Sequence, residues 1–321
     1  MEKLVARPAV SAGSVRSELS VIYVAGYGRS GSTLVGQMLG ELPRALYLGE
    51  LNFFWSDTVL GDRPCGCGCA AADCPVWARV MKRIGADLPM RAGEAVALLD
   101  ATTRTRHGLA RLTRLGRRRL AGRTEALAAH LDVLYRAIAD ETGCEVIVDS
   151  SKSPMYRTVL EAIPGLRVDT VQVVRDPRGV ADSWRRPAHE PIGSAELPTF
   201  GPAHSAALWL VVNLLARRPA RRAGRHVLVR YEDLMADPRA ALAAVGVGLG
   251  RDASGLGITD DRRVALGVSH SVAGNPRRFA SGPVELRADV AWRSRLSRRD
   301  RLVVTLLALP ALRRFGYRLR G

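Results

Sequence analysis

Lysine is nearly absent from this 321-residue chain: Lys3, Lys82 and Lys152 are the only three, although Lys and Arg together number 48. The basic surplus is therefore almost wholly arginine, and against 31 acidic residues it leaves a formal charge of +17. A surplus of that size points to an anionic partner: nucleic acid, an anionic membrane, or a small polyanion such as a nucleotide. An arginine bias spread over a whole chain also has a compositional source, so each arginine counts only by its place. A lysine in mid-chain, by contrast, stands out. Long apolar runs are missing too. The two longest, 208–216 and 302–312, fall short of the roughly 20 residues a membrane-spanning helix needs, and the second contains Pro310. Residues 1–20 carry scattered charges without the apolar stretch of a secretory leader, which predicts a cytoplasmic protein with no cleaved signal. Cysteine is confined: Cys65, Cys67, Cys69 and Cys74 lie within ten residues, and Cys144 stands apart. That cluster lacks the Cys-x2-Cys pairs in two separated halves that zinc sites commonly use. It predicts no metal, and leaves a local disulfide or an ordinary glycine-rich loop.

What is present reads as a folded globular chain, 47% hydrophobic and 25% charged, long enough to bury a substantial core without covalent staples. Continuous apolar runs at 21–25, 145–148, 168–174 and 226–229 fit strands buried on both faces. Helical patterns separate them, over about 123–141, 154–162, 178–186, 204–217 and 237–247. Strand alternating with helix predicts a doubly wound α/β fold, a parallel sheet flanked by helices with its sites at the C-terminal strand ends. Residues 61–122 carry no strand pattern and read as a helical insertion. No repeat or linker divides the chain, which predicts one domain over 1–321 with a flexible N-terminus over 1–20. The stretch 104–123 holds eight arginines and no acidic residue. It reads as a solvated helix face or mobile loop, or else as an electrostatic funnel for an anionic substrate or a patch giving weak association with an anionic surface.

Gly26-Tyr27-Gly28-Arg29-Ser30-Gly31-Ser32-Thr33 follows the first strand run and precedes a helical pattern. Backbone N–H groups at such a junction, with the helix N-terminus, make an anion-binding concavity. Against the pattern G-x-x-x-x-G-K-[S/T], Gly26, Gly31 and Thr33 match, but Ser32 stands where a nucleoside triphosphatase carries its lysine. The cation has moved to Arg29.

A strand followed by x-x-R-S-G-S/T-T and a helix resembles the 5′-phosphosulfate loop of the sulfotransferases that use 3′-phosphoadenosine 5′-phosphosulfate (PAPS). Arginine at position 29 is similar to their tyrosylprotein and bacterial branches. The resemblance implies a P-loop-kinase-like fold and assigns Gly28, Arg29, Ser30, Gly31, Ser32 and Thr33 to the 5′ end of the nucleotide. Arg175-Asp-Pro-Arg-Gly-Val-Ala-Asp-Ser183-Trp resembles the family's 3′-phosphate motif, in which a strand-end arginine and a serine eight residues on hold one phosphate. Tyr231-Glu-Asp-Leu looks like a further family element whose tyrosine contacts the adenosine. The segment from His270 to Trp292 resembles the one that closes over the nucleotide, which adds Arg277 and Arg278 to the expected cofactor contacts. In all, the resemblance covers about residues 21–292.

The Lys-Thr-His stretch on which many cytosolic relatives carry a catalytic histidine is missing. Asp149-Ser-Ser-Lys152-Ser-Pro instead resembles an Asn-Lys-Asp-Pro element whose lysine reaches the transferring group, and Leu48-Gly-Glu50-Leu resembles a Gly-Glu-Glu segment bearing a catalytic glutamate. The resemblance thus implies Glu50 as base, Arg29 and Lys152 as charge-stabilising cations, no metal, and a small hydroxylated acceptor. Two other readings remain at this point: a small-molecule or nucleoside kinase with a degenerate phosphate loop, and a basic nucleic-acid-binding protein. The first requires Mg²⁺ and ATP; the second predicts steeply salt-dependent duplex binding.

Overall fold

The computed structural model describes residues 19–85, 88–105, 107–110, 113–187, 198–218, 224–253, 256–260 and 262–319. The expectation of a flexible N-terminus falls, up to residue 18, outside them. Five strands form a parallel sheet: β1 Ser20–Ala25, β2 Ala45–Gly49, β3 Val146–Lys152, β4 Arg167–Val174 and β5 His226–Arg230, in the order β2-β3-β1-β4-β5. The chain therefore leaves the central strand β1, fills one side of the sheet with β2 and β3, and crosses to the other side for β4 and β5. The expected α/β parallel sheet is present. A second, antiparallel sheet of β6 Ile258–Asp260, β7 Arg263–Leu266 and β8 Gly282–Glu285 was not visible in the sequence.

Helices α1 Ser32–Gly40, α2 Trp77–Ile84, α3 Ala92–Thr103, α4 His107–Ala110, α5 Arg114–Thr142 and α6 Pro154–Leu160 occupy the first half of the chain. The second half carries α7 Pro177–Arg185, α8 Pro202–Ala216, α9 Tyr231–Ala236, α10 Pro238–Leu249, α11 Trp292–Arg295 and α12 Arg298–Leu312. Among the described residues of 61–122, α2, α3, α4 and the start of α5 are helical, whereas the part before Trp77, including the cysteine cluster, carries no α-helix or strand. Helix α5 begins nine residues earlier than the hydrophobic pattern indicates, because its first turns are arginine-rich. Thr113 caps it, accepting from the Gly116 amide, and Arg114, Arg117, Arg118, Arg119 and Arg123 project from it into solvent.

Strand β1 shows how the core divides. Its alternate side chains point to opposite faces of the sheet. Val21, Tyr23 and Ala25 pack on the side of Leu131, Leu134 and Tyr135 of α5 and Tyr156 of α6. Ile22 and Val24 pack with Val35 and Met38 of α1 and Leu242 of α10. All of β1 is buried, which explains the continuous apolar run. Its C-terminal end is thus fixed from both sides, and the phosphate loop leaves from that end.

Candidate active site

Three strand ends converge around the loop that follows β1. Gly26, at φ 133°, starts it; a Cβ there would lie 2.2 Å from the Val173 carbonyl oxygen on β4, so only glycine lets the loop turn this close to its neighbour. Arg29 (φ 67°) and Gly31 (φ 93°) both take left-handed backbone conformations. Alternating conformations of this kind turn successive N–H groups toward one side. Helix α1 starts at Ser32 with no side-chain cap, and Ser32, Thr33 and Leu34 line a cavity of about 420 Å³. The N-terminal amides of α1 are thus left for a ligand.

Arg29 is held from one side only. Its guanidinium lies over the Trp184 ring, 4.9 Å from the centroid, while the Trp184 indole N–H donates to the Gly28 carbonyl at 3.2 Å. Its Nη2 is buried without a hydrogen-bond partner among the described residues. Burial, with Arg186 nearby, lowers the Arg29 pKa from its ordinary value. A half-buried cation facing a second cation is the arrangement an anion relieves.

The β4 end supplies Arg175. Its Nη1 donates to the Arg29 carbonyl (3.3 Å) and its Nη2 to the Asp289 carbonyl (2.9 Å), and its guanidinium stacks on the Tyr231 ring at 4.6 Å. Register explains the stack: Val174 pairs with Arg230, so the residues that follow, Arg175 and Tyr231, emerge side by side. The Tyr231 ring also closes on Gly31, where a Cβ would approach to 3.0 Å. Ser183 and Arg186, one turn apart at the end of α7, line the same cavity with Arg277, Arg287 and Asp289. The Asp289 carboxylate bridges Arg175 (3.3 Å), Arg186 (3.2 Å) and Arg295 (3.0 Å).

On the other side of the loop, Glu50 follows β2 and Lys152 ends β3. The two form an ion pair, and Lys152 Nζ also donates to the Ser150 carbonyl at 3.2 Å. Lys152 has φ 63°, a strained conformation for a non-glycine residue. Beneath it, the fully buried Asp149 accepts from the Ser151 amide (2.8 Å) and from the Ser151 and Tyr135 hydroxyls. Burial raises the Asp149 pKa to about 6. Glu50 is turned toward the phosphate loop: a Cβ on Gly274 would stand 3.2 Å from Glu50 Oε1 and 3.8 Å from Thr33 Oγ1.

This geometry brings an anion-seeking loop, a strand-end arginine and a Glu-Lys pair to one end of a parallel sheet, and the profile of the sulfotransferase family matches residues 21–254. The chain belongs to the sulfotransferase family. It is a transferase that moves a sulfuryl group. No curated protein sequence matches it. The matched stretch covers the phosphate loop, Glu50, Lys152, Arg175, Ser183 and Tyr231 and ends before the segment that carries Arg277 and Asp289.

Most residues expected from the sequence therefore meet at one place. Arg29, Gly31, Ser32, Thr33, Arg175, Ser183, Tyr231 and Arg277 line the cavity, whereas Gly28 lies under Trp184 and Ser30 is fully buried. Arg278 departs from the expectation of a nucleotide contact. It is fully buried away from the cavity, donating to the carbonyls of Ser271 and Pro64 (2.9 Å each) and stacking on Phe279. In the short turn 276–279 the neighbouring arginines diverge, so only Arg277 reaches the ligand space. Sequence reading missed Arg186, although it follows Ser183 by one helical turn, and it missed Arg287 and Asp289, for which no local signal exists. None of the described helices is long and apolar enough to cross a membrane.

Proposed function

We propose that this sulfotransferase uses PAPS as donor and a hydroxyl of a small-molecule, carbohydrate or lipid-linked acceptor, giving a sulfate ester and adenosine 3′,5′-bisphosphate (PAP). The observation that carries this reading is the buried, unpartnered Nη2 of Arg29 at the mouth of a loop with no lysine at position 32. A nucleoside triphosphatase keeps that lysine for its β- and γ-phosphates. A site for a phosphosulfate, which has no γ-phosphate, has no need of it. Arg175 and Arg186, with Ser183 beside them, offer a second anion seat in the same cavity, and two seats suit a nucleotide charged at both its 5′ and 3′ positions.

The donor supplies an activated sulfuryl group. As the acceptor oxygen bonds to sulfur, the bond from sulfur to the bridging phosphate oxygen breaks and its electron pair stays on the 5′-phosphate. The Glu50 carboxylate accepts the acceptor's proton, and Arg29 and Lys152 offset charge on the leaving oxygen. Lys152, already on Glu50, couples the two roles: as it turns toward the leaving group it frees a carboxylate oxygen for the proton.

A mass-spectrometric screen of hydroxylated compounds with PAPS tests this. The expected result is an acceptor that gains one SO₃, a mass of about 80 Da set by the reaction itself. Phosphoryl transfer from ATP and Mg²⁺ to the same compounds would instead establish a kinase.

A further inference from the structure

The cysteine cluster, which the sequence alone leaves without a second half, acquires one in three dimensions. His270 lies 196 residues from Cys74 in sequence, yet its Nδ1 stands 3.3 Å from Cys74 Sγ and 3.9 Å from Cys65 Sγ. Cys74 Sγ lies 3.6 Å from Cys65 Sγ and 3.8 Å from Cys67 Sγ. All four donor atoms fall within 4.8 Å of one another. We infer that Cys65, Cys67, Cys74 and His270 bind one zinc ion.

The distances decide between the chemistries open to such a cluster. A disulfide brings its sulfurs to about 2.05 Å, and none of these pairs is near that. A tetrahedral zinc ion with Zn–S of about 2.3 Å and Zn–N of about 2.0–2.1 Å sets its ligands about 3.8 Å apart for two sulfurs and about 3.6 Å for sulfur and nitrogen. The four separations given above scatter around those values. Three sulfurs and one imidazole complete the coordination, with no position left for water, so the site is structural and not hydrolytic.

The surroundings are those of a built site. Cys65 and Cys74 are buried. Gly66 has to be glycine, since a Cβ there would lie 2.4 Å from Ser271 Oγ and 2.6 Å from Ser269 Oγ, and that close approach lets the loop reach the segment that carries His270. The Gly66 amide donates to the Ser271 carbonyl (2.9 Å) and the Trp77 indole N–H to the His270 carbonyl (2.8 Å), fixing the backbone on both sides of the ring. Binding would release three thiol protons to solvent and leave a net charge of −1 on the complex. The buried Arg278 guanidinium, bonded to Pro64 next to Cys65 and to Ser271 next to His270, offsets that charge. The buried Arg278, unexplained by nucleotide binding, thereby gains a role.

Position gives the site its consequence. The Val272 amide donates to the Leu48 carbonyl at 2.9 Å, and Gly274 lies against Glu50. Zinc would therefore staple the 65–74 loop to the segment that backs the catalytic carboxylate.

The test uses the full chain, purified under reducing conditions from zinc-supplied medium. Elemental analysis should find close to one zinc per chain, retained in Cys69→Ser and Cys144→Ser. Cys74→Ser and His270→Ala should hold zinc at least about tenfold more weakly against a chromophoric chelator, since even outer-shell changes cost about 10–100-fold. Should those variants fail to fold, two measurements on the unaltered chain decide. Cobalt added after chelation should give the visible bands of a tetrahedral thiolate site, and alkylation should label exposed Cys69 at once but Cys67 only after chelation. A zinc-free chain without the cobalt bands, a two-dalton mass deficit from a disulfide, or undiminished zinc in Cys74→Ser would each overturn the assignment.

Discussion

Glu50 and Lys152, 102 positions apart in sequence, form an ion pair at the C-terminal ends of the adjacent parallel strands β2 and β3. Each emerges at the same end of the sheet because Gly49 is in register with Asp149. The pair stands beside the phosphate loop, and the left-handed backbone of Lys152 turns its side chain into that position.

If Glu50 takes the acceptor proton, Glu50→Gln should lower kcat by about 10²–10⁴-fold while PAP affinity stays near that of the parent. Lys152→Ala, which under the same proposal removes a cation from the leaving group, should cost about 10²–10³-fold in kcat. Turnover at saturating donor, together with calorimetric PAP affinities, checks both. Near-parental turnover in the two variants would make the pair structural only.

In the proposed complex Arg29 and Arg175 serve different ends of the nucleotide, so their variants should separate by ligand. Losing a charged hydrogen bond costs about 1.5–3 kcal/mol, or about 10–100-fold in affinity. Arg29→Ala should weaken PAP and adenosine 5′-monophosphate alike. Arg175→Ala should weaken PAP alone. Calorimetric titration of both nucleotides into both variants reads this difference directly.

Asp289 occupies the seat that the proposed 3′-phosphate would take on Arg175 and Arg186. Partial burial pushes its pKa up, but Arg175, aided by Arg186, holds the carboxyl below the ordinary range, so it remains an anion at neutral pH. A phosphate must displace it or share its arginines. Asp289→Asn should therefore bind PAP about 2–5-fold more tightly, as expected when a competing charge of modest net value is removed. Weaker binding would instead make Asp289 the group that orients Arg175.

Two buried groups should give the fold opposite pH slopes. The Asp149 pKa is raised to about 6 by burial, so its stabilising contribution is complete below the unfolded value near 4 and is lost as pH rises through 6. The loss approaches about 3 kcal/mol, at 1.36 kcal/mol per unit. His130, fully buried against Trp55, has its pKa lowered to about 4, so stability is lost as pH falls from about 6.5 toward 4. Relative to the parent, Asp149→Asn should gain stability as pH rises from 4 to 7, and His130→Leu should gain it as pH falls over the same range. Denaturant unfolding at several pH values checks the signs.

The sheet was legible where burial on both faces made apolar runs continuous, as in β1, β3 and β4. Strand β2, only Ala45–Gly49, begins half-buried and is too short for its pattern to stand out. β7, which carries Arg263, alternates between core and solvent, and β8, which carries Pro283, between half-buried and exposed positions, so neither gave a run. At the site, the signals carried by contiguous residues were readable: the phosphate loop, Arg175 to Ser183, and Lys152 as a lysine in an arginine-rich chain. What could not be read was pairing across the fold. No local pattern joins Asp289 to Arg175 or His270 to Cys74, because strand order and the closing segment create those contacts. Arg278 shows the converse, since its place beside Arg277 said nothing about the direction of its side chain.

The central claim concerns the nucleotide, and one titration addresses it most directly. With the unaltered chain, PAP should bind at least about tenfold more tightly than adenosine 5′-monophosphate, a difference of about 1.4 kcal/mol or more for the added phosphate, and its affinity should be the same with and without Mg²⁺. Tighter binding of ATP with Mg²⁺ than of PAP, or no preference for the 3′-phosphate, would contradict it.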